Sequence, residues 1–323
     1  MGSSHGSVQP WVGSKDPGRY VGHHEGTPQG YHRPLDCSPV RGHKGGRLCR
    51  RVVVRLRHAC WLALVLGACV HPAAREGRRA LDEGAYDLAA HALGKASAAE
   101  PTRVDYLVDL GRAEMGRGKP EPAADAFRRA SNLEPRTARH VVYLGHALEL
   151  GRRYEEAERA YRKASELEPD RAWPHRVLGT RLLRWGEPER ALAPLERALE
   201  LEPEHVPTLH ARARALVDTG RVADGERAFR QAIERGDGGT DERALRLGLA
   251  RALLTAARHE QALVEYDEVA RRWPRFAPVH VGRAVLLEAL GQRDAARQAM
   301  RTATQLAPAN RQYRAHLARL SAP

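Results

Sequence analysis

Residues 138–171 read ARHVVYLGHALELGRRYEEAERAYRKASELEPDR, and the placing of small and bulky residues within them decides the fold. Gly145, Ala157 and Ala164 are small and Tyr161 is large. Their spacing is close to 3.6 residues per turn, not alternating, which is the mark of helices. Pro169 closes the stretch, because proline cannot continue a helix and disfavours helical backbone in the residue before it.

The same pattern returns along the chain. Prolines stand at Pro101, Pro135, Pro169 and Pro203, each 34 residues from the last, and again at Pro274 and Pro308. The interval from Pro203 to Pro274 is two periods and three residues, with Asp237 where the intervening proline is due. We number each unit so that its proline takes position 32. Position 20 then reads Ala89, Ala123, Ala157, Ala191, Gly225, Ala262 and Ala296. Position 8 reads Gly77, Gly111, Gly145, Gly179, Ala213, Ala250 and Ala284, and position 27 is alanine in all units but Val269. Position 24 is bulky: Leu93, Phe127, Tyr161, Leu195, Phe229, Tyr266 and Met300. Small residues let two helix backbones approach, and the bulky one fills the gap beside them.

A 34-residue period with these columns resembles the tetratricopeptide repeat, and Tyr154-Glu155-Glu156-Ala157 resembles that family's turn into the second helix. The resemblance implies an all-α fold: a right-handed superhelical solenoid of about seven helix-turn-helix repeats plus a C-terminal capping helix. The units are 70–103, 104–137, 138–171, 172–205, 206–242, 243–276 and 277–310, with 311–323 as the cap. Pro120 and Pro188 start second helices, where a missing N–H costs nothing. Four departures carry expectations. Pro194 lies inside a second helix and should kink or weaken it. Ala73 and Glu76 replace larger apolar residues, so the first helix should fray. Arg212 and Arg283 occupy a leucine column. Residues 236–242 (GDGGTDE) hold the insertion and should loosen the array into five repeats plus two.

Ahead of the repeats, residues 1–50 are rich in Gly, His, Pro and Ser without periodicity, a composition that cannot bury a core. Residues 51–69 read differently. A basic stretch through Arg50, Arg51, Arg55 and Arg57 precedes the apolar run from Ala59 to Val70, which Gly67 interrupts. That is the layout of a secretory signal, too short to span a bilayer, which takes about 20 apolar residues. Its end, Leu66-Gly67-Ala68-Cys69, resembles a bacterial lipobox. This implies a diacylglycerol on Cys69, cleavage before it, and a start downstream of Met1. Val70 in place of Asp favours the outer membrane, facing the periplasm. The apolar run would also serve as a buried cap on the first repeat, and a soluble cytoplasmic adaptor is the alternative localisation and role. Cys37, Cys49, Cys60 and Cys69 are the four cysteines, with no C-x-x-C spacing for zinc or redox work.

The formal net charge is +13. Over residues 70–323 it amounts to 43 basic against 37 acidic side chains, distributed along the helices with Glu155/Arg159 and Glu158/Arg162 at i,i+4 spacing. A salt-bridged surface follows, and no nucleic acid is expected. No Walker loop or H-E-x-x-H is present, and no G-x-S-x-G stands in the folded region. The chain therefore reads as a non-catalytic protein-interaction scaffold with no cofactor, metal or small-molecule substrate. In the resembled family positions 2, 5, 9, 12 and 13 face a concave groove. Here that nominates Arg112, Arg139, His146, Trp173, Arg176, Arg184, His210, Arg214 and Arg251. Such a lining is basic with apolar patches and suits an acidic protein segment. The family's carboxylate clamp is missing, since no asparagine stands at position 6 or 9 of repeats two to seven. Lipoproteins of this layout resemble pilotins and organisers of cell-wall enzymes.

Overall fold

The computed structural model describes residues 70–236 and 240–322. Among these residues all regular structure is helical, and the helices pair in chain order. The first four hairpins are α1 (Pro72–Asp82) with α2 (Tyr86–Ala99), α3 (Val104–Gly116) with α4 (Pro120–Leu133), α5 (Ala138–Leu150) with α6 (Tyr154–Leu167), and α7 (Ala172–Trp185) with α8 (Pro188–Leu201). Three more follow: α9 (Val206–Asp218) with α10 (Val222–Arg235), α11 (Thr240–Thr255) with α12 (His259–Arg272), and α13 (Ala277–Ala289) with α14 (Arg293–Leu306). Helix α15 (Arg311–Ser321) closes the array. The hairpins stack side by side into the right-handed superhelical solenoid.

One backbone device makes every hairpin. The residue at position 15 has positive φ in all seven: Gly84, Gly118, Arg152, Gly186, Gly220, Ala257 and Gly291. In six of them the next residue's N–H reaches back five residues, as in Arg153 N to Leu148 O at 2.9 Å and Arg258 N to Leu253 O at 2.9 Å. This satisfies a carbonyl that the helix end would otherwise orphan. At the other end of each hairpin the residue before the proline closes the second helix with its own N–H, Glu134 N to Ala130 O at 3.0 Å for example.

Packing then follows the columns. A Cβ placed on Gly111, Gly145 or Gly179 would lie 2.6 Å from the side chain of Phe127, Tyr161 or Leu195 respectively, each two helix faces away in the same hairpin. The bulky residue is seated in space that only glycine leaves. The fifth and sixth hairpins use a second arrangement. Position 8 is alanine there (Ala213, Ala250), and the rings of Phe229 and Tyr266 instead occupy the space over Gly248 and Gly282, at position 6 of the next hairpin. In the third and fourth hairpins that position carries Tyr143 and Val177.

Two sequence expectations are corrected, and Pro194 is accommodated within its helix. Helix α1 is a full helix: Ala74, Gly77 and Ala80 are buried, and Arg78 ties it to Asp105 and Asp109 at 2.7 Å each. Helix α8 runs through Pro194 as one element, with Ala191, Leu195 and Ala198 buried around it; packing on neighbours holds what the lost hydrogen bond weakens. The join after the fifth hairpin is not a break in the core. One buried cluster contains Leu209, Leu216 and Phe229 from before it and Leu245, Leu249 and Leu253 from after it.

The two arginines in the leucine column are explained by their partners. Arg212 meets Glu196 at 3.5 Å and Arg283 meets Asp267 at 2.5 Å, and both acids stand at position 25 of the preceding hairpin. Where position 7 keeps leucine (Leu110, Leu144, Leu178, Leu249), the preceding position 25 is Gly94, Arg128, Arg162 or Arg230. No acid faces those leucines.

Candidate functional site

The candidate residues lie on the first helices of the second to sixth hairpins, α3, α5, α7, α9 and α11. Arg139 is exposed at the start of α5. Trp173 is half-buried, its indole N–H donating to Glu168 at 2.9 Å, so it braces the loop before α7. Arg176 donates to Glu202 at 3.1 Å, in the loop that ends the same hairpin. His210 packs its ring against Phe229, centroids 5.8 Å apart.

The remaining candidates gather around three acids that charge counting along the sequence does not single out. Asp109, Glu149 and Asp218 keep only 14, 15 and 19% of their side chains exposed. Asp109 takes Arg78 and, at 3.3 Å, Arg112. Asp218 takes Arg214 at 3.5 Å from its own helix and Arg251 at 2.7 Å from the next hairpin. Glu149 is the most connected. The Tyr161 hydroxyl donates to it at 3.0 Å and the Trp185 indole N–H at 3.2 Å. Arg181 approaches at 3.4 Å and Arg184 at 3.9 Å. A buried carboxylate needs this many donors, since an unpaired one would cost several kcal/mol.

His146 belongs to this network. Arg181 Nη2 donates to its Nε2 at 3.1 Å, and its ring tilts against Tyr161 with centroids 5.5 Å apart. Burial, then the Arg181 and Arg184 charges, push its pKa down to about 4. His146 is therefore neutral at physiological pH and adds no positive charge to the surface. The basic lining read from the sequence is thus largely compensated: Arg112, Arg176, Arg184, Arg214 and Arg251 all sit on carboxylates. Sequence reasoning missed Arg181, Glu149, Asp109 and Asp218. The only trace of them was acids at positions 12 and 13, already called groove-facing, and at position 6 beside them. Among the described residues no three His, Cys, Asp or Glu side chains converge as a metal set, and no helix is long and apolar enough to cross a membrane. Cys69 and the leader 1–69 lie outside the described residues.

The family model described as tetratricopeptide repeat matches residues 75–131, 108–172, 210–278 and 247–311, which together cover more than half of the chain. Solved structures share the fold. The C-terminal part of a repeat-containing protein from Cytophaga hutchinsonii has a TM-score of 0.60 at 14% identity, over 75% of this chain and 98% of that one. A tetratricopeptide repeat protein from Parabacteroides merdae has a TM-score of 0.58 at 17% identity, over 77% and 96%. Pseudomonas aeruginosa pilF has a TM-score of 0.52 at 21% identity, over 67% and 97%. No curated protein matches the sequence. Family match, recurring hairpin and shared fold agree, and this chain belongs to the tetratricopeptide repeat family.

Proposed function

We propose that the protein is a non-catalytic scaffold of the bacterial cell envelope. A lipid on Cys69 would anchor it to the outer membrane facing the periplasm. The candidate faces of α3, α5, α7, α9 and α11 would hold a segment of another protein during assembly of an envelope complex, in the manner of a pilotin or an organiser of cell-wall enzymes. The observation that carries the binding reading is the row of half-exposed arginines, each fixed in place by a carboxylate beneath it. Fixing a side chain before the ligand arrives lowers the entropy lost on binding. Such an arrangement suits recognition of a partner.

The anchor reading rests on the basic stretch, the short apolar run and Leu66-Gly67-Ala68-Cys69. Its test is metabolic labelling with palmitate. Label should enter the wild type and be lost in Cys69→Ala, with the wild type in the outer-membrane fraction. Label retained by Cys69→Ala, or full-length chain including residues 1–50 recovered from the cytoplasm, would replace this reading with a soluble adaptor.

A further inference from the structure

The three arginine-covered acids are not equivalent. Glu149 is saturated by a hydroxyl, an indole and a guanidinium from within the fold. At Asp109 the second arginine, Arg78, is consumed by Asp105 as well. Among the described acids on the first helices, only Asp218 draws two half-exposed arginines from adjacent hairpins; Glu158 and Glu226 do the same on second helices. Arg214 and Arg251 keep 52 and 60% of their side chains exposed. Each engages Asp218 through one nitrogen, and the cluster carries one net positive charge.

The surroundings are built as well. Position 6 of the sixth and seventh hairpins is Gly248 and Gly282, where the rings of Phe229 and Tyr266 from the preceding hairpin fill the space. The same position 9 that supplies Arg214 and Arg251 supplies Val285 in the seventh hairpin, and Val285 is 51% exposed. An anionic anchor point is thus followed by an apolar one.

Resting on the scaffold reading above, we propose that Arg214, Asp218 and Arg251 form the anchoring subsite for a protein segment. The subsite takes an acidic side-chain carboxylate, which bridges the two guanidiniums on the side away from Asp218. A neighbouring apolar residue of the segment settles on Val285. Guanidinium forks suit a carboxylate because they meet both of its oxygens. A nucleic acid is the poorer ligand. Phosphodiester chains need a run of cations, and the flanking position-9 residues are Thr180 and Val285.

The test is selection of random 12-residue peptides displayed on phage against the immobilised full chain, then fluorescence anisotropy of the selected sequence. The expected motif pairs Asp or Glu with a nearby Leu, Ile or Val. Its Asn/Gln twin should bind at least tenfold more weakly. So should the acidic peptide to the R214E/R251E variant, with an unchanged helical spectrum, and V285D should lose severalfold. Selection without acidic enrichment, equal binding of the twin, or undiminished binding to R214E/R251E overturns the subsite. So does a single-stranded oligonucleotide that binds more tightly than the peptide and is lost in that variant. Photo-crosslinkers placed in cells at residues 112 and 285 separate the two readings. Protein adducts that persist in R214E/R251E leave the scaffold standing and remove the subsite; adducts at neither position remove both.

Discussion

Position 15 shows how much one residue decides. Five hairpins place glycine where φ is positive, but Arg152 and Ala257 adopt φ of 61° and 56° with a side chain attached. Such a conformation costs an L-residue about 1–2 kcal/mol, of which glycine returns roughly half through its freer unfolded chain. Ala257→Gly should therefore stabilise the protein by about 0.5–1 kcal/mol in urea unfolding. Gly248 predicts the opposite sign, because a methyl group there collides with the Phe229 ring. Gly248→Ala should destabilise by about 1–3 kcal/mol, the usual range for overpacking. His146 gives a pH signature. Its pKa is lowered to about 4 in the fold against about 6.5 in an unfolded chain, so above pH 6.5 it is neutral in both states and neutral to stability. As pH falls from 6.5 toward 4 the unfolded chain takes up a proton that the fold resists, and stability drops, by up to about 3 kcal/mol in all. In His146→Asn the loss between pH 7 and pH 4 should be correspondingly smaller when followed by denaturant titration.

Among elements, the contest is over which hairpin stacks on which. Seven hairpins with nearly the same small-residue seam could slip past one another, and the pairs Arg212–Glu196 and Arg283–Asp267 mark two of the joins with charge. They are partly exposed, so each pair is worth less than about 1 kcal/mol. The larger effect is on wrong joins, where the arginine would face Arg128, Arg162 or Arg230. Arg212→Glu alone, setting two acids together, should destabilise by about 1–2 kcal/mol, and adding Glu196→Arg should recover most of it. A double-mutant cycle measures the coupling. No recovery would mean that Arg212 acts through its aliphatic stem alone.

For the molecule as a whole, each hairpin buries its seam only against neighbours, so the ends are where the stack is weakest. Helix α15 covers the last one: Leu320 is buried and Tyr313 and Leu317 pack on Ala299, Met300 and Ala303. It is further pinned by Arg319 and His316 on Glu288. Deleting residues 311–323 should uncover that face. Hydrogen exchange should then accelerate first in α13 and α14 and leave α3 to α8 nearly unchanged. Uniform acceleration would mean that the array unfolds as one unit.

The sequence by itself determined the hairpin and its repetition, because both follow from local causes: small and bulky residues at helical spacing and a proline at nearly every 34th residue. It also pointed to the charged columns. The tertiary structure decided what those charges do. Whether Arg251 faces solvent or a carboxylate depends on Asp218, 33 residues away in the preceding hairpin; His146 is held neutral by burial in the stack and by Arg181, 35 residues on, packed against it. It also decided that the core runs through the insertion after the fifth hairpin, where Phe229 crosses to Gly248. Periodicity is written in neighbours along the chain, but burial and ion pairing belong to neighbours across the stack.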